Sequence, residues 1–240
     1  MARTVRFAIG AALLPFVWAA TTATLTLVPD ALTAEFPFVS RKILFFSAGV
    51  AVWCAIAWRF RVNNWFYIFG HELTHAAWAL LTFSKVTRIS VTAKGGYCLI
   101  ENPGPFTTLA PYFVPFYAVV LLLARLLLGI WVDMASYSHW WLAALGFAYG
   151  FHATNTVESL TEVAQPDIRE YGKFFSCTLI IAANLLFLGL GAAAMLGVPL
   201  LEWLSTLLDS CVSAYCAAWR GIAWAVATAF TAVKGVIAKQ

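Results

Sequence analysis

The sequence predicts an all-α, polytopic membrane protein of six to seven transmembrane helices, with a short β-hairpin after the third. Three observations predict it. Hydrophobic residues make up 62% of the 240-residue chain and charged residues only 11%, far from the balance of a water-soluble domain. Long runs almost free of charge recur along the whole length, with no linker long enough to separate two domains. One stretch breaks the pattern: 85–101 is rich in Val, Ile and Thr around Lys94-Gly95-Gly96, and reads as two short strands joined at a Gly-Gly turn.

The first apolar run, 7–28, follows Arg3 and Arg6. It is long for the apolar part of a signal peptide and is expected to remain as the first helix. Runs at 43–58, 65–83, 109–131, 140–157 and 174–196 supply the next spans. Those at 43–58 and 140–157 are short for a hydrocarbon layer of about 30 Å, so each must extend into its flanks or thin the lipid beside it. Beyond 196 the segment 211–233 is apolar but carries Arg220 near its middle. An arginine at mid-membrane costs roughly 3 kcal/mol, so a seventh span competes with an amphipathic helix lying in the interface. The expected organisation is a single membrane domain over 1–240, with a core at 62–196 and a C-terminal segment at 197–240.

Simple alternation of six spans puts Arg3, Arg6, Arg59 and Arg61 on one side. Arg41, Lys42, Lys85, Arg88, Lys94, Arg169 and Lys173 fall on the other, joined by Lys234 and Lys239 if a seventh span exists. That second side, with the hairpin, is then favoured as cytoplasmic; without a seventh span the tallies are nearly equal. The expected location is a bacterial inner membrane. The net charge of +4 is scattered over short connections and excludes a nucleic-acid footprint. The five cysteines show no CxxC spacing, so neither a disulfide framework nor a thiolate metal site is expected.

The third run contains Gly70-His71-Glu72-Leu73-Thr74-His75, an HExxH motif. On a helix, His71 and His75 stand one turn apart on one face, where two imidazole nitrogens reach a single zinc ion at about 2.0–2.1 Å. Glu72 is placed to take a proton from water activated there without itself being a ligand. The chemistry this pattern carries is amide hydrolysis assisted by Zn2+. Histidine is scarce, four in all, and a carboxylate deep in an apolar run is costly unless it has a function. A catalytic zinc site needs a third protein ligand, and the candidates are Asp167, Glu158, Glu162 and His152. Pro166 favours Asp167, because it interrupts regular structure at the mouth of the sixth helix, where a carboxylate can turn inward. His152, Asn155, Thr156 and Glu158 are a polar cluster fit to line a cavity toward the metal.

These features resemble the site-two protease family of intramembrane zinc metalloproteases. The resemblance covers roughly 62–196: an HExxH within a span, a β segment after it, an apolar helix opened by Ala110-Pro111, and Pro166-Asp167 before another helix. It implies His71, His75 and Asp167 as zinc ligands, Glu72 as catalytic base and Asn155 as a substrate-binding residue. The implied substrate is a membrane protein or peptide cut in or near its transmembrane segment, with the lipid bilayer as the working environment. Two local departures stand out: Asp167 is followed by Ile168, with the nearest glycine at Gly172, and Asn155 lies further upstream than the family's asparagine. The competing expectation is a catalytically inactive membrane binding or scaffold protein that retains a metal site. A transporter is more distant, since paired half-helices and repeats are missing from the sequence.

Overall fold

The structure, a computed structural model, describes residues 2–27, 36–60, 64–92, 95–161 and 165–237; Glu162, Arg61, Lys94 and Lys239 lie outside them. The described chain is mostly helical. Its elements are α1 (Arg3–Leu25), α2 (Phe36–Arg59), α3 (Asn64–Leu81), strands β1 (Val86–Thr92) and β2 (Gly95–Ile100), and α4 (Pro105–Leu109). A 3-10 turn (Ala110–Tyr112) follows, then α5 (Phe116–Leu128), α6 (Ser138–Thr161), α7 (Pro166–Tyr171), α8 (Lys173–Leu196) and α9 (Leu200–Ile237). Three described helices are long and apolar enough to cross a membrane: α1, α2 over Arg41–Arg59, and α8. α3 and α6 carry Asn64, Glu72, Asn155 and Glu158 among their apolar residues.

The expected single span at 109–131 is not one straight helix. Pro115 stands between the 3-10 turn and α5, and the two halves are bent by 84°. Lacking an N–H and fixed in φ, a proline cannot carry a helical ladder through this point.

Packing fixes the directions of the helices. α1 and α8 run parallel, since Phe7 stacks on Phe174 at one end and Ala20 and Ala23 share a core with Ala193 at the other. α2 and α6 are also parallel: Phe45 meets His139, and further along Trp53 meets Phe151 and donates from Nε1 to Thr154. These two helices touch backbone to backbone through small residues, and a Cβ on Gly146 would lie 1.9 Å from the carbonyl oxygen of Phe46. α3 is antiparallel to α6, with Tyr67 bonded to Ser159 and His71 sharing a cavity wall with His152. The segment between α3 and α6 therefore begins and ends at the same end of the bundle, and does not cross it. α9 returns antiparallel along α1, with Trp203 and Leu207 against Leu27 and Tyr215 bonded to the Ala12 carbonyl at 2.8 Å. It is one continuous helix, and beyond Tyr215 its side chains, among them Trp219 and Trp224, are largely exposed.

The hairpin is antiparallel, with Thr92 paired to Gly95 and an irregularity between Val86 and Arg88. The glycine pair lies in β2 rather than in the turn. Gly96 is needed there because β2 crosses α3 in direct contact; a Cβ would meet Ile68 Cγ2 at 2.6 Å and Glu72 Cγ at 2.8 Å. The hairpin thus folds back along α3 rather than extending away from it.

The parallel pairing of α1 and α8 overturns the expected division of basic residues. The guanidinium of Arg6 bonds the carbonyl of Glu170 and lies over the Tyr171 ring, 5.4 Å from its centroid. Arg3 and Arg6 therefore share one end of the bundle with Arg169 and Lys173, not the opposite ends that simple alternation gives. Alternation fails because it counts 109–131 as a crossing. In a background freed of native cysteines, cysteines placed at Arg3 and Lys173 should be labelled by an impermeant thiol reagent from the same side of sealed vesicles. Labelling from opposite sides would contradict this arrangement.

Candidate metal centre

α3 presents His71 and His75 on one face, as one-turn spacing requires, with ring centroids 4.8 Å apart. The third group comes from α7. Gln165 is extended, Pro166 opens the helix and Asp167 follows in its first turn. Two anchors hold Asp167 in place. Ile168 is buried in a cluster with Leu109, Tyr112, Phe175, Leu179 and Ile180, and Gly172, at φ +90°, makes the sharp junction into α8. Ile168 is thus a packing anchor, and the glycine turn comes about one helical turn after it, at Gly172.

Asp167 Oδ2 lies 3.3 Å from His71 Nε2 and 3.5 Å from His75 Nε2. The edge of a tetrahedron with metal–ligand bonds of about 2.0–2.1 Å is roughly 3.3–3.4 Å, so these two separations match edges of a zinc site, and one ligand atom from each of the three residues lies within 4.8 Å of the others. Proton placement points the same way. His75 Nδ1 is 3.0 Å from the Thr107 carbonyl oxygen, which can only accept, so Nδ1 carries the ring proton. Nε2 then turns a lone pair toward a carboxylate. That contact is favourable only with a cation shared between the two atoms, either a second proton on His75 or a metal ion. The Thr107 bond is also the outer contact that a metal-bound histidine characteristically makes. Burial works against the charge on Asp167, but its contacts with His71 and His75 outweigh it and hold the carboxyl below its usual range.

Glu72 is buried beside the two histidines, under Gly96. A cleft of about 410 Å³ opens there, lined by His71, Glu72, His75 and Asp167 on one wall and by β2 on the other. Cys98, on β2, faces this cleft with its thiol pushed up to about 11, first by burial and then by the Glu72 carboxylate. Among the described residues the metal-competent group contains His71, His75 and Asp167 alone. No protein-family model, no curated protein and no solved structure matches this chain.

The remaining sequence candidates fall elsewhere. Asn155 donates to the Phe151 carbonyl at 2.7 Å and lines a separate cavity of about 20 Å³ behind His71, not the large cleft. Helical phase explains this, since α6 passes α3 on the face away from β2. His152 is buried against Asn184, 3.4 Å away, and Glu158 is exposed. Two residues without a motif matter as much as those with one. Tyr112 donates to Asp167 Oδ2 at 2.9 Å, and Asn184 holds the Tyr112 carbonyl at 2.8 Å. The signal for Asn184 was in the sequence, as a lone amide in the apolar run 174–196; Tyr112 had none.

Zinc content, measured in purified protein with folding checked by circular dichroism, should be stoichiometric in the wild type and lost in His71→Ala and His75→Ala. Asp167→Ala should weaken binding strongly, whereas Glu158→Ala and Glu170→Ala should bind like the wild type. Full zinc in Asp167→Ala would remove α7 from the centre.

Proposed function

We propose that this chain is an intramembrane zinc metalloprotease of the site-two protease type, hydrolysing a peptide bond in or near a transmembrane segment of a membrane-protein substrate. The observation that carries the reading is the convergence of His71 Nε2, His75 Nε2 and Asp167 Oδ2, beside a buried glutamate, on one wall of a cleft. In this reading α1, α2, α3, α6, α8 and α9 cross the bilayer, and 82–137 dips in and returns. The directions of the packed helices support that count.

Zinc held by these three groups would act as a Lewis acid, lowering the pKa of a water molecule and polarising the scissile carbonyl. Glu72 takes the proton from the water as its oxygen bonds to the carbonyl carbon, and delivers it to the amide nitrogen as the C–N bond breaks. The products are a carboxylate and an amine. Three protein ligands beside an accessible cleft favour catalysis over the closed, four-ligand arrangement of a structural site.

A transmembrane helix shields its own carbonyls by hydrogen bonding, so a substrate must be unwound before it can be cut. Among the described residues β2 pairs only with β1, and its backbone from Gly96 to Ile100 borders the cleft. An unwound substrate segment adds to that edge as a further strand, which brings its carbonyls past the metal ligands and Glu72.

Glu72→Gln should keep its zinc and lose hydrolysis of a membrane-embedded peptide by at least about 100-fold, measured in detergent or liposomes. Undiminished cleavage would remove Glu72 from the mechanism, and loss of zinc would make it part of the metal framework.

A further inference from the structure

We propose that Tyr112, held in place by Asn184, is the positioning residue for the third metal ligand. The inference rests on the metal-centre reading above and adds to it a group outside the HExxH and Pro-Asp elements.

Tyr112 ends the 3-10 turn and is fully buried. Its hydroxyl donates to Asp167 Oδ2 at 2.9 Å, the same oxygen that faces both imidazoles, and its ring meets the His71 ring edge-on at 5.2 Å. A carboxylate on a short helix can rotate about its Cβ–Cγ bond, and a donor fixed on one side of Oδ2 removes that freedom. Oxygen ligands of metals are commonly oriented by such outer hydrogen bonds, and losing one costs roughly 10- to 100-fold in metal affinity.

Tyr112 is itself over-determined. Its carbonyl, left over where the turn ends, accepts from Asn184 Nδ2 of α8 at 2.8 Å and from Thr156 Oγ1 of α6 at 3.3 Å. Asn184 Oδ1 in turn lies 3.4 Å from His152 Nε2. The donors come from two different helices, so the turn is pinned to the bundle at the residue whose side chain reaches the ligand. A phenylalanine at this position would keep both carbonyl bonds and lose only the hydroxyl donated to Asp167, so that side-chain bond is what the tyrosine adds.

The test compares wild type, Tyr112→Phe, Asn184→Ala and, as a distant control, Tyr215→Phe, each checked for helix content. Zinc affinity is read by competition with a chelator, and ligand geometry by the visible absorption bands of the Co2+-substituted protein. Tyr112→Phe should bind zinc about 10- to 100-fold more weakly and shift the Co2+ bands. Asn184→Ala should move both readouts in the same direction by less, and Tyr215→Phe should move neither. Wild-type affinity and an unchanged Co2+ spectrum in Tyr112→Phe would overturn the proposal while leaving the metal centre standing. A wild type that takes up neither metal would overturn both. Should Tyr112→Phe fail to fold, an Asn184→Ala protein indistinguishable from wild type in both readouts would overturn it instead.

Discussion

A carboxylate oxygen set against two imidazole nitrogens is the contact on which the rest of the structure depends. Asp167 Oδ2 and the Nε2 atoms of His71 and His75 lie 3.3 and 3.5 Å apart, on the wall of a cleft where the imidazoles are largely buried and an unshared charge is costly. With the His75 Nδ1 proton committed to Thr107, the arrangement calls for a cation. Everything around it restrains the partners: β2 lies over Glu72, Ile168 anchors α7, and Tyr112 holds the carboxylate. A site that must be built from α3, the turn after α4, and α7 needs those elements brought to one level of the bundle, and the non-crossing segment between α3 and α6 does this.

That segment is where the sequence was least readable. Hydropathy reports transfer from water, and the run 109–131 is as apolar as a span, yet its direction is set by Pro115 and by the packing of the turn against Ile168 and Asn184. A mistake there propagates, because every later helix inherits the wrong sense. The basic residues were divided accordingly, with Arg6 placed opposite Glu170 when the two are in contact.

Local signals fared differently. The one-turn spacing of His71 and His75 is a property of the helix alone, and the backbone break at Pro166 marks Asp167 without any knowledge of tertiary structure. The hairpin followed from Val, Ile and Thr flanking two glycines, although Gly96 serves close approach to Glu72 rather than the turn. Asn155 was drawn to the site by the family resemblance and by its place in a polar cluster, whereas helical phase turns it to the smaller cavity. Tyr112 could not be found beforehand, since a tyrosine in an apolar run is the ordinary material of a buried core.

The coordination shell itself tests the central claim most directly. X-ray absorption at the zinc K-edge of the purified wild-type protein should show four light scatterers at about 2.0–2.1 Å, two of them with the outer-shell pattern of imidazole and the rest oxygen. Sulfur at about 2.3 Å, a third imidazole, or a protein that retains no zinc would contradict a centre made of His71, His75 and Asp167.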